Sequence, residues 1–213
     1  MNDQIKKPIL VVGAGGHARA CIDVIELEGT YSISGLVALP HETDSEIMGL
    51  PIIGTDSDLP KLSSQCPHAL IGVGQIKAAE IRVRLYQQLT QAGFELPSIV
   101  SPLGYVSRHA TLGAGTLVMH GAIVNAGSMI GNNCIVNNQA LVEHDVKVGN
   151  HCHISTGAVV NSGVVVGDQT FIGSNAAIRQ ETVIGKGCVI GMGQAVLSNC
   201  PANSTLPEKN NKR

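Results

Sequence analysis

Between residues 106 and 200 the chain carries only eight charged side chains: Arg108, Glu143, Asp145, Lys147, Asp168, Arg179, Glu181 and Lys186. Three of them fall in the pentapeptide Glu143-His144-Asp145-Val146-Lys147, and His151 and His153 follow at once. An otherwise neutral segment thus gathers its titratable groups in one place. Histidine titrates close to neutral pH and suits proton transfer. A carboxylate beside it orients the ring and stabilises its charged form. His144 with Asp145 therefore reads as a candidate general base, against the ordinary alternative of an exposed, inert histidine. His109 and His120 lack acidic neighbours and read as surface residues, and His151 could face the same interface as His144.

A second group lies near the start. The apolar run Ile9–Val12 leads into Gly13-Ala14-Gly15-Gly16-His17. Glycines between a strand and a helix let phosphate oxygens approach the free N–H groups of the helix N-terminus. The alternative is a tight strand–helix turn with no ligand.

Two kinds of element must position these groups. Residues 1–104 alternate strand and helix. Strands are expected at Ile9–Val12, Ile33–Leu39 (ended by Pro40), Ala69–Val73 and Ser98–Val100, with Ile52–Gly54 a short strand or a loop. A first helix with Ala20, Ile22, Val24, Ile25 and Leu27 partly buried should stop at Gly29. A second, over Ile76–Ala92, repeats Ile81, Leu85 and Leu89 every four residues and is capped by Gly93. This order predicts a small parallel α/β sheet, Rossmann-like but too short for a full dinucleotide fold.

The second half obeys a period of six. From Val106 to Val196, sixteen consecutive slots hold only Val, Leu or Ile. The slot four residues later is small or β-branched throughout, except for Gln194. A helix cannot hold a strict period of six, and such repeats form a parallel β-helix. Three hexads close one triangular coil, so residues 18 apart stack about 4.8 Å apart. Glycines directly after the aliphatic (113, 131, 149, 167, 173, 185, 191), and Asn125, Asn137 and Asn161, are expected at corners with unusual backbone angles.

Composition agrees. Of 213 residues 44% are apolar yet only 2% aromatic: Tyr31, Tyr86, Phe94, Tyr105 and Phe171. A narrow triangular interior leaves no room for large rings. The net charge of −2 gives no electrostatic case for nucleic acid or an anionic membrane surface. No apolar run approaches a spanning helix and no signal-peptide core is present, so a cytoplasmic protein without membrane insertion is expected. The six cysteines show no CxxC or CxxH pairing, and Cys134, Cys152, Cys188 and Cys200 fall in the small inward slot as packed thiols.

The uninterrupted hexads resemble the left-handed β-helix acyltransferases, which are trimers using acetyl-CoA. GAGGHA, IMGLPIIGT and IGVGQ…IR ahead of the hexads resemble one subgroup, which acetylates bacterial surface sugars: bacillosamine-type UDP-4-amino-4,6-dideoxy sugars, perosamine and sialic acids. The resemblance implies an α/β sugar-nucleotide-binding domain over residues 1–104, a left-handed parallel β-helix over 105–200 and a C-terminal tail over 201–213. It implies a homotrimeric, acetyl-CoA-dependent N-acetyltransferase acting on a nucleotide-linked amino sugar, with no metal.

Residue by residue, the resemblance makes His144 the base and Asp145, usually a Glu, its partner. The second histidine nine residues on, His153, stands near acetyl-CoA. Ser174 and Met192 match the cofactor contacts, although Met192 replaces the usual Gly. Gly15, Gly16 and His17, with Gly74 opposite, match the nucleotide-sugar loop. The backbone N–H of Ser162, one coil above His144, is a candidate oxyanion donor, or an ordinary corner. Ala38 and Leu39 stand where the subgroup normally has an Asp pair for uridine. Thr205-Leu206-Pro207-Glu208-Lys209 is a weak version of its terminal segment, and a disordered polar tail is expected beyond it. Two alternatives stay open: O-acetylation of a sialic-type sugar, and a non-catalytic or metal-dependent hexapeptide protein in which His144, His151 and His153 surround a metal.

Overall fold

The structure, a computed structural model, describes residues 5–42, 46–76 and 78–207. In the first half, β1 (Lys7–Val12), β2 (Tyr31–Val37), β4 (Leu50–Gly54) and β5 (His68–Ile71) form a parallel sheet. The short β3 (Glu46–Ile47) joins its edge antiparallel, giving the order β3-β4-β2-β1-β5. Helix α1 (Gly16–Glu28) covers one face; α2 (Leu59–Leu62) and α3 (Glu80–Gln91) cover the other. β1 is apolar on both sides for this reason: Ile9 and Val11 pack toward α1, Leu10 and Val12 toward α2 and α3.

Helix α1 stops where expected. Gly29 adopts φ 82°, and its N–H closes on the Ile25 carbonyl at 3.1 Å. Two apolar residues expected on buried faces point to solvent instead. Leu27 is 51% and Ile81 56% exposed, because each helix buries only one stripe.

From residue 99 the chain forms a triangular parallel β-helix. Two-residue strands pair 18 residues apart, as in Ile123↔Leu141 and Leu141↔Val159, and build three sheets. The aliphatic slot is buried from Val118 to Val196. Several donors in the small slot are satisfied by carbonyls of the next coil: Thr116 by Gly131 at 2.7 Å, Ser128 by Glu143 at 2.6 Å, Cys134 by Gly149 at 3.1 Å; the Thr182 hydroxyl, in the same slot, has no partner among the described residues. All six cysteines are free and buried.

The corners differ from the expectation. One residue per hexad from Gly115 to Gly193 adopts a left-handed φ, including Asn133, Gln139, Asp145, His151 and Glu181. This is the third residue after the aliphatic, not the glycine directly after it, and not Asn125, Asn137 or Asn161. The glycines after the aliphatic serve close approach instead. A Cβ on Gly131 would stand 2.6 Å from the backbone of Gly149 one coil above.

The solenoid also reaches further than the hexad count. Ile99–Val100 pairs with Leu117–Val118 and starts the first sheet, and Thr205–Leu206 pairs with Val189–Ile190. The polar tail expected at 208–213 lies outside the described residues. Outward-facing Ile99, Leu117 and Met119 share one core with α1, so the helix is buried between its own sheet and the solenoid. His120, read as a surface residue, is instead a clasp across this junction. It meets Asp23 of α1 at 2.8 Å and Ser101 at 2.7 Å.

Candidate active site

In an open parallel sheet, ligands bind at the strand carboxyl ends, where successive crossovers diverge. Here that point lies between β1 and β5. The chain leaves β1 toward β2 on one side and returns as β5 on the other. The glycines of the two loops divide into two kinds. Gly13 (φ 117°) and Gly72 are packed, since a Cβ on either would stand 2.7 Å from a valine of the opposite strand or loop. Gly15 and Gly16 face open space with nothing within 4 Å, at the N-terminus of α1. No side chain caps that terminus, so its N–H groups are available to an anion. A Cβ on Gly74 would stand 3.4 Å from the Cβ of His17.

Beside this point a cavity of about 940 Å³ opens between the α/β unit and the solenoid. Six of the ten site residues read from sequence line it: Gly16, His17 and Gly74 from the first half, His153, Ser174 and Met192 from the second. Thr205, Leu206 and Pro207 close its far end. Gly15 is the adjoining N-cap residue of α1. His144, Asp145 and Ser162 are not on this wall.

The chain holds His153 in one state. Its Nδ1 lies 2.6 Å from the Gln75 carbonyl, which can only accept, so Nδ1 carries the proton. Nε2 then accepts from Asn137 Nδ2 at 3.0 Å, and the Asn137 Oδ1 in turn accepts the Asn138 N–H at 2.8 Å. Phe171 packs edge-on against the ring at 5.4 Å. Burial, with the Arg82 charge adding to it, lowers the His153 pKa to about 4. His17 is likewise lowered to about 4, mainly by burial, with Arg82 and His153 contributing. Both rings are neutral near pH 7. The His17 Nε2 and the Gln75 side-chain amide are buried on this wall with no partner among the described residues.

His144 lies on an exposed corner between two of the sheets, after Leu141–Val142 and before Lys147–Val148. Its Nδ1 donates to Asp145 Oδ2 at 2.9 Å, which leaves the Nε2 lone pair free. Glu143 turns away from the ring and accepts from Asn125 Nδ2 at 3.1 Å. One coil above, the Ser162 carbonyl accepts from Glu181 and the Gly163 N–H donates to the His144 carbonyl, the ordinary corner pattern of the solenoid.

His151 belongs to the domain junction. It stacks edge-on against Tyr86 of α3 at 5.3 Å and accepts from Asn133. Within one chain His144, His151 and His153 therefore do not converge, and among its described residues no group of three or more His, Cys, Asp or Glu could hold a metal ion. Gln75, Asn137 and Phe171 went unread as site residues. Their partner His153 lies 16 to 78 residues away in sequence, and only Gln75, within IGVGQ, carried a local signal.

Residues 8–89 match the PglD N-terminal domain, residues 127–162 the six-repeat bacterial transferase hexapeptide family, and residues 163–198 the hexapeptide repeat of succinyl-transferase. The acetyltransferase domain of PglB from Neisseria gonorrhoeae FA1090, solved with acetyl coenzyme A, is 32% identical with a TM-score of 0.87, over 95% of this chain and 96% of that one. A mutant perosamine N-acetyltransferase from Caulobacter crescentus, solved with CoA and GDP-perosamine, is 27% identical with a TM-score of 0.89, over 97% and 96%. Comparison with curated protein sequences gives no match. The chain belongs to the hexapeptide-repeat sugar acetyltransferases, with a PglD-type α/β domain preceding a left-handed parallel β-helix.

Proposed function

We propose that this protein transfers the acetyl group of acetyl-CoA to the amine of a nucleotide-linked amino sugar for bacterial surface glycan synthesis. The observation that carries the reading is the shared cavity. The open glycine cradle at the α1 N-terminus and the upper coils bearing His153, Ser174 and Met192 line one space. A diphosphate at the cradle and an acyl-CoA along the coils would meet there. The solved relatives bind acetyl coenzyme A, or CoA with GDP-perosamine, and this chain spans nearly all of each.

In this reading the neutral sugar amine attacks the thioester carbonyl carbon. His144 Nε2 takes the proton from the nucleophilic nitrogen, while Asp145 holds the ring and offsets its charge. The Ser162 N–H stabilises the tetrahedral oxyanion. The C–S bond breaks, the proton passes to the CoA sulfur, and the products are an N-acetyl sugar and free CoA thiol. Ala38, 7% exposed, and Leu39, 56% exposed, offer no carboxylate to a nucleobase.

His144 lies off the cavity of its own chain, so a homotrimer that presents it to a neighbouring cavity completes the site. Outward-facing Tyr105, Ile123, Met129, Val165 and Val183 are 39% to 57% exposed and line the two solenoid sheets that the α/β unit leaves uncovered. Among the described residues no helix is long and apolar enough to cross a membrane. We place the protein in the cytoplasm, where acetyl-CoA and nucleotide sugars meet.

Release of CoA thiol, measured over nucleotide-linked amino sugars, free amino sugars and sialic acids, tests the reading. Turnover of a nucleotide-linked amine supports it. Turnover confined to sugar hydroxyls, or none with any acceptor, overturns it. Light scattering at micromolar concentration tests the trimer, and a monomer refutes it.

A further inference from the structure

Arg82 is 1% exposed, and no carboxylate lies among its hydrogen-bond partners. A buried guanidinium without a counter-ion is costly and persists only where its donors are used; here both terminal nitrogens are engaged, while Nε has no partner among the described residues. One end, Nη1, donates to the carbonyls of Ile71 at 3.0 Å and Val73 at 2.6 Å, at the end of β5 and in the loop beyond it. The other, Nη2, donates to Asn133 of the solenoid, to Oδ1 at 2.5 Å and to the carbonyl at 3.4 Å. Asn133 answers, its Nδ2 donating to the Arg82 carbonyl at 3.1 Å. The fork thus bridges the two halves of the molecule.

The loop it grips carries Gly74, Gln75 and Ile76 to the cavity wall. Gln75 offers the carbonyl that binds His153 Nδ1. A continuous set of bonds therefore runs from the Arg82 guanidinium through Val73 and the loop to the imidazole on the solenoid. We propose that Arg82 is a positioning residue of the acetyl-transfer site: by fixing the loop after β5 against Asn133, it sets the Gln75 carbonyl that selects the Nδ1–H tautomer of His153. The α/β unit, on this view, shapes the solenoid's side of the cavity as well as its own. The kinetic part of this inference rests on the proposed acetyl transfer; the tautomer part does not.

The test uses full-length protein, wild type, Arg82→Lys and Asn133→Gly, each checked for folding by circular dichroism. Lysine keeps the charge but not the fork. Glycine keeps the left-handed backbone of position 133 (φ 53°) and removes the amide. Imidazole ¹⁵N spectra, with His153→Gln to assign the signal, report the tautomer directly. Wild type should show Nδ1–H alone. Both variants should show a mixture with Nε2–H, Arg82→Lys more than Asn133→Gly. Their KM for acetyl-CoA should rise about tenfold, the worth of one well-made hydrogen bond, with kcat little changed because His144 is untouched. A folded variant that keeps pure Nδ1–H and the wild-type KM overturns the proposal. If Arg82→Lys does not fold, Asn133→Gly alone decides. If wild type acetylates no amino sugar, the proposed function fails, while the tautomer still decides the role of Arg82.

Discussion

Asp145 accepts the Nδ1–H of His144 at 2.9 Å from a backbone in the left-handed conformation, φ 59°. The hexads from Gly115 to Gly193 all turn at this slot, and Asp enters the left-handed region more readily than most side chains. The corner itself thus brings a carboxylate against the preceding ring, and a short side chain is long enough to reach it.

Two substitutions separate these roles. His144→Ala should lower kcat by on the order of 10²–10⁴, the usual range for loss of a general base. It should leave the melting temperature unchanged, because the ring is exposed on a corner. Asp145→Gly preserves the turn and removes only the carboxylate, so kcat should fall less, roughly tenfold, the ring losing its orientation but not its lone pair. Near-normal kcat in His144→Ala at saturating substrates would remove His144 from the mechanism.

Gly16 allows activity and stability to be moved in opposite directions. A Cβ there meets nothing within 4 Å, and the residue begins α1. Gly16→Ala should hold or raise stability, by up to about 1 kcal/mol, because alanine has less chain entropy to lose. If phosphate oxygens lie on the cradle, the methyl group obstructs them, and KM for the acceptor should rise about tenfold. Steady-state kinetics beside a denaturation curve checks both, and an unchanged acceptor KM would place the nucleotide elsewhere.

The two kinds of corner glycine should respond differently. Gly131→Ala drives a methyl group to 2.6 Å from the backbone of the next coil, where nothing flexible can yield. Overpacking of this sort costs about 1–3 kcal/mol. Gly121→Asn enters a left-handed slot (φ 67°) that asparagine already fills at positions 133 and 175, with a side-chain atom at 3.4 Å as its nearest neighbour. Its stability should change by less than about 0.5 kcal/mol. Urea midpoints at constant slope distinguish the two.

Acid should loosen the junction. His17 and His153 both have folded-state pKa values near 4, below the 6.5 of an unfolded histidine. Between these values the unfolded chain binds more protons, so stability rises with pH there and is lost on acidification from about 6.5 to about 4. Each ring accounts for roughly 3 kcal/mol at the acid end. Stability measured from pH 7 to pH 4 should fall less steeply in His153→Gln. Identical slopes would mean that His153 is not buried neutral in solution.

The solenoid was legible because its inward slots repeat without a break, and an aliphatic interior tolerates nothing else. The turning slot was not, since Gly, Asn, Gln, Asp, His and Glu all occupy it; the stacked coils above and below impose its conformation more strongly than the residue chooses it. Of the site, His144 and Asp145 were readable because they are neighbours in sequence. The hold on His153 was not, because Gln75 lies 78 residues away and acts through a peptide carbonyl that every residue possesses. His120 was misread for the same reason: Asp23 stands 97 residues from it.

The core that α1 shares with Ile99, Leu117 and Met119 has a consequence for biosynthesis. On the ribosome α1 is made well before its cover is complete, since part of the surface that buries it appears only some ninety residues later. Until that surface arrives, the stripe of α1 meant for the solenoid has only water against it. An early α/β unit with an apolar helix face uncovered invites association with other nascent chains. The solenoid's opening coils therefore complete the domain that precedes them, and a pause in translation shortly before residue 117 would lengthen the interval in which the chain is most vulnerable.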